Sequence, residues 1–88
     1  LADFRWNAWN LDHATQHGVT TAEAEHVVRF ARRPYPRPHK DGTWIVVGPG
    51  DSNRTVQVIF VYDDKARESV YIIHAMPLAR GRRNRRKR

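Results

Sequence analysis

Apolar and polar positions change period once along this chain. Phe4 and Trp6 alternate with Asp3 and Arg5, as in a short strand with one buried face. Asn7 can cap a helix beginning at Ala8, and that helix is predicted to run to about Gln16 or His17, where Gly18 stops it. Thr20-Thr21-Ala22-Glu23 has the form of a capping box, in which the Thr20 hydroxyl accepts from the Glu23 N–H and the Glu23 carboxylate reaches back. In the helix so opened, predicted over Thr20–Arg33, Ala24, Val27, Val28 and Ala31 form one apolar stripe. Arg32 and Arg33 fall in its last turn, where positive charge suits the helix dipole.

Pro34, Pro36 and Pro38 then exclude a helix or a central strand, so residues 34–42 are predicted to be a loop. Beyond it the period is strand-like. Thr43–Gly48 is β-branched and aromatic, and Gly48-Pro49-Gly50-Asp51-Ser52-Asn53 is a turn cluster. Val56, Val58, Phe60 and Tyr62 alternate with Thr55, Gln57, Ile59 and Val61, a strand buried on much of both faces. Asp63-Asp64-Lys65 turns the chain into a third strand, Ser69–Ala75, which Pro77 is expected to end. The expected fold class is α+β: two N-terminal helices packed on a small antiparallel sheet, with a basic C-terminal tail or helix.

Composition narrows this picture. The 88 residues are 40% hydrophobic, enough for one core and hence one domain, expected over residues 1–79 with a tail over 80–88. The absence of cysteine excludes disulfides, thiolate metal sites and cysteine nucleophiles. No apolar run has signal-peptide or membrane-span length, so the expected location is the cytoplasm and no membrane partner is expected. The net charge of +7 favours a polyanion such as nucleic acid. That excess resides wholly in Arg80, Arg82, Arg83, Arg85, Arg86, Lys87 and Arg88, which leaves residues 1–79 formally neutral.

Taken in order, several short motifs resemble a known family. Phe4-x-Trp6, Asn10, His17-Gly18-Val19-Thr20 and Glu23-Ala24 are similar to the opening of BrnT-type toxins. Trp44-x-Val46-x-Gly48, Arg54 before an apolar strand, and Val70-Tyr71-Ile72-Ile73-His74-Ala75 continue the same order. The resemblance implies a RelE-like α+β fold and the toxin component of a type II toxin–antitoxin system. It implies an endoribonuclease that inhibits translation, neutralised by a cognate antitoxin protein with a DNA-binding segment. The chain departs from the family where a serine and an arginine usually flank the alanine of the last strand; here they are His74 and Met76. It departs again at Arg82, in a region where the family commonly carries an acid.

Metal-free RNA cleavage needs a base for the 2′-hydroxyl, an acid for the leaving 5′-oxygen and stabilisation of the phosphate. Histidine moves protons near neutral pH, and the arginine fork matches two phosphate oxygens. The candidate catalytic residues are therefore His74, Arg54 and Arg80, with RNA contacts at His39, Lys40, Arg82 and Arg83 and no cofactor. His74 alternates with Val70, Ile72 and Met76, which would also suit a core histidine. Tyr62 and Tyr71 could stack on a base or simply pack. His13 and His17 have the i, i+4 spacing of metal ligands, but no third ligand lies near them in sequence, and no metal is expected. Phe4, Trp6, Trp9 and Trp44 are read as core rather than as a base-stacking platform. The alternative function is a non-catalytic nucleic-acid-binding or protein-interaction module on the same fold.

Overall fold

A computed structural model describes residues 3–78; Arg80, Arg82 and Arg83 lie outside the described residues. The elements run β1 (Asp3–Phe4), α1 (Ala8–Thr15), α2 (Thr21–Arg29), β2 (Arg37–Pro38), β3 (Trp44–Pro49), β4 (Thr55–Tyr62) and β5 (Ser69–Leu78). The architecture is α+β. Five strands form one sheet in the order β1-β5-β4-β3-β2.

The β3–β4–β5 meander is antiparallel as expected, but the sheet as a whole is mixed, because β1 pairs parallel to β5 through Asp3/Ser69 and Phe4/Val70. Nothing in the local alternation around Phe4 specifies which edge it joins or in which direction. The proline segment also differs from expectation. It carries β2, a short edge strand paired to β3, and a tight 3₁₀ turn over Lys40–Gly42. An edge strand of two residues tolerates Pro38 because only one side must supply ladder hydrogen bonds. Pro77 likewise does not end β5, which continues to Leu78. Beyond Val70, β1 no longer borders β5, so Pro77 has only β4 as a strand neighbour.

Both helix starts follow the sequence. Asn7 accepts from the N–H groups of Trp9 and Asn10, and the Asn10 side chain returns the bond to the Asn7 N–H. Thr20 accepts from the Glu23 N–H. The second helix stops earlier than predicted, with Phe30 at its C-cap, so Ala31, Arg32 and Arg33 lie past its end. The run into Pro34 disfavours helical backbone at the residue before proline. Ala24 and Val27 are nonetheless buried, and Val28 and Ala31 pack partly buried against the same core. That core joins Ala14 and Val19 to Val46, Val56, Val58, Phe60, Val70, Ile72 and Ala75 from one face of the sheet. Fully burying a valine or phenylalanine side chain stabilises by about 1.5–3 kcal/mol, so this layer is the main favourable contribution to the fold.

The helix α1 packs mainly on β5. Where β1 leaves off, Asn10 takes over: its Nδ2 donates to the carbonyls of Ile72 (2.9 Å) and Arg5 (3.0 Å), with the residue 0% exposed. An asparagine thus satisfies a strand carbonyl that β1 does not reach.

Candidate active site

A β-bulge decides where His74 lies. Pairing runs Val58/Ala75 and Ile59/His74, then shifts to Phe60/Ile72, so Ile73 is the extra residue. A one-residue shift exchanges the faces of everything after it. Val70 and Ile72 before the bulge, and Ala75 after it, therefore share the buried face, while His74 pairs with Ile59 and is half-buried. The expected alternation of Val70, Ile72, His74 and Met76 on one face does not hold, and His74 is not a core histidine.

Its neighbour is His17. The two rings meet edge to face with centroids 5.4 Å apart. His17 is exposed at the turn between α1 and α2, just before Gly18, whose φ of +86° closes that turn. Burial, and secondarily the nearby His17, lower the pKa of His74 from its ordinary value. His74 is therefore a neutral imidazole at pH 7, free to accept a proton, with a second imidazole within reach of the same small substrate group.

Arg54 reaches the same turn by another route. Its Nη2 donates to the Gly18 carbonyl at 3.0 Å, one residue from His17. Arg54 and His74 are not strand partners, since the pairing places His74 opposite Ile59 and Leu78 opposite Thr55. The fork of Arg54 is occupied: Nε donates to Glu23 Oε2 at 2.9 Å and Nη2 to Glu23 Oε1. Glu23 is 2% exposed and accepts a further bond from the Asp51 N–H at 2.7 Å. The hydrogen bonds from Arg54, aided by the one from Asp51, lower the carboxyl pKa of Glu23 against the opposing effect of burial. Arg54 therefore pins the His17–Gly18 turn to α2 and to the start of β4, rather than standing open as a phosphate clamp. The Glu23 carboxylate is turned chiefly to this arginine, and the Thr20 backbone N–H makes a smaller contribution.

The remaining candidates are scattered. His39 and Lys40 are exposed at the tight turn after β2. Tyr71 donates from its hydroxyl to Asn7 Oδ1 at 3.1 Å and carries the Arg5 guanidinium over its ring, 4.4 Å from the centroid. Tyr62 packs edge to face on both Trp44 and Phe60. Phe4, Trp6 and Trp44 are partly buried against the core, but Trp9 is 51% exposed and stacks on His13 at 3.8 Å, so it is not core. His13 also turns Nδ1 to the Trp9 carbonyl at 2.7 Å. Among the described residues no three His, Cys, Asp or Glu side chains group as metal ligands. No helix among them is long and apolar enough to cross a membrane.

The sequence carried no signal for the His17–His74 contact, because it depends on a bulge and on the route of α1 along β5. A signal for the Glu23–Arg54 pair was present. Glu23 lies four residues before Val27, on the buried stripe, where a carboxylate needs a cation. Comparison with protein-family models, with curated proteins and with solved structures found no match to this chain.

Proposed function

We propose that this protein is the toxin of a toxin–antitoxin pair and cleaves RNA in the cytoplasm without a metal, using His74 as general base and His17 as general acid. The observation that carries the reading is the contact between two imidazoles, one exposed and one with a lowered pKa, at a pinned turn. Neutral His74 takes the proton of a ribose 2′-hydroxyl, and the 2′-oxygen attacks the adjacent phosphorus. The bond from phosphorus to the 5′-oxygen breaks, and that oxygen takes a proton from His17. The products are a 2′,3′-cyclic phosphate and a 5′-hydroxyl. The basic run that includes Arg80, Arg82 and Arg83 supplies attraction for the RNA backbone, and a cognate antitoxin restrains the activity.

The test is digestion of a single-stranded RNA at pH 7 in excess chelator. The wild type cleaves; His74→Ala and His17→Ala each lose on the order of a hundredfold in rate while folding normally. Full activity in either variant would refute the assignment. The filled fork of Arg54 favours a second reading, a module on the same fold that binds RNA without cutting it. RNA binding with no cleavage by the wild type would establish that reading instead.

A further inference from the structure

A second site lies between the sheet and the C-terminal end of α2, away from His74. It is a cavity of about 190 Å³ walled by Phe4, Val28, Phe60 and Val70, with Pro36, Tyr62 and the exposed residues Arg29 and Arg67 completing it. Both guanidiniums rest on aromatic faces rather than on strong carboxylate partners. Arg67 sits 4.9 Å from the Trp44 ring centroid and 5.3 Å from that of Tyr62. Arg29 sits 5.0 Å from that of Phe4. Among the described residues Arg67 has no ion pair, and Arg29 has only a long one of 3.8 Å to Glu25, whose carboxylate also accepts from the Trp6 indole at 2.8 Å. Of the acids near Arg67 in sequence, Asp63 binds Arg5 and Asp64 accepts from the N–H groups of Glu68 and Ser69, while the adjacent Glu68 forms no ion pair with Arg67. Arg67 is held in this place with a φ of +61°, a conformation that a residue with a Cβ seldom adopts.

We infer that this cavity docks an acidic segment of a protein partner, taking one large apolar side chain inside and flanking carboxylates on Arg29 and Arg67. Charge decides for an anion: two guanidiniums border the cavity and neither is neutralised at close range. A guanidinium over a ring face still has N–H groups to offer a carboxylate. The walls decide between a peptide and a nucleotide. A nucleobase brings donors and acceptors together, and among these side chains the Tyr62 hydroxyl is the one acceptor. Buried base N–H groups would lose their water without replacement, a loss a leucine or phenylalanine side chain does not suffer. This surface is independent of the His17–His74 pair and of the cleavage reading.

The test uses the full chain and a short capped peptide with one leucine between acidic residues, followed by the Trp44 indole N–H resonance in NMR titration. Saturable binding in the sub-millimolar range is expected, weakened about tenfold when alanine replaces the leucine. Arg67→Gly should weaken binding about tenfold through the lost charge-assisted bond. Because glycine is at ease at positive φ, that variant should melt at or above the wild-type temperature, which separates lost docking from lost folding. The inference is overturned if the peptide leaves Trp44 unmoved at millimolar concentration. It is equally overturned if Arg67→Gly binds as tightly as wild type, or if an oligonucleotide of equal charge displaces the peptide and binds more tightly.

Discussion

Gly50 is required for the space around it, and replacing it with alanine tests how tightly the Glu23–Arg54 anchor is built. Its φ is −112°, which any residue can adopt. On conformational grounds alone Gly50→Ala would therefore stabilise by about 0.4–1 kcal/mol. The new methyl carbon, however, would stand 2.6 Å from Val56 Cγ2 and 3.2 Å from Glu23 Cδ, and closer still to Glu23 Oε2. Carbon atoms prefer about 3.5–4.0 Å, and neither neighbour can easily yield. Val56 is fully buried, and Glu23 is held by Arg54 and by the Asp51 N–H. Gly50 itself is tied to the Arg54 carbonyl at 2.8 Å. Forcing an extra carbon into such a site costs about 1–3 kcal/mol. The expected net loss is about 1.3 kcal/mol, or roughly 8 °C in melting temperature for a domain of this size. Thermal unfolding followed by circular dichroism reads it directly. In a Glu23→Ala background, where the carboxylate is gone, the penalty of Gly50→Ala should shrink by about 1 kcal/mol, the coupling expected of touching residues. If Gly50→Ala melts at or above wild type, or its cost is the same in both backgrounds, the packing argument is wrong.

Asn10→Ala should destabilise by about 2–4 kcal/mol, because it leaves the carbonyls of Ile72 and Arg5 without their side-chain donor and opens a small void; urea denaturation checks this, and a loss below half a kilocalorie would contradict it. Acid should unfold the protein partly through Glu23. Its pKa is lowered in the fold, so its stabilisation is complete above the ordinary carboxyl value of about 4.3 and is lost as pH falls through the lower folded value. The gap in melting temperature between wild type and Glu23→Gln should then narrow from pH 6 to pH 3. His74 acts in the same direction at higher pH. Its folded pKa is lowered, so the unfolded chain binds the proton more tightly, and stability falls as pH drops below about 6.5 until the folded value is reached; the slope over that interval should lessen in His74→Ala.

Local signals were legible where the cause is local. Asn7 and Thr20 announce their helices because a side-chain oxygen beside an orphan N–H is a matter of a few residues. The meander was readable from alternation in Thr55–Tyr62 because the pleat repeats every second residue. What escaped depends on contacts between distant segments. The parallel attachment of β1 to β5 and the edge role of Arg37–Pro38 are fixed by which strand edge is left open. The bulge at Ile73 is invisible in a run of apolar residues that reads equally well in either register, and it exchanges the face of His74. Arg54 was recognisable as a residue with a task, and the sequence reading gave it a phosphate as its partner. The buried Glu23 supplies a carboxylate instead.

The central claim is that two imidazoles, His17 of the α1–α2 turn and His74 of β5, cleave RNA through the 2′-hydroxyl. An otherwise all-DNA strand carrying a single ribonucleotide, incubated with the wild-type protein in excess chelator, tests it most directly. The account predicts one cut, immediately 3′ of the ribonucleotide, leaving a 2′,3′-cyclic phosphate and a 5′-hydroxyl detectable by mass spectrometry. Cleavage at deoxynucleotides, a 3′-hydroxyl product, or activity that appears only when a divalent metal is added would contradict it.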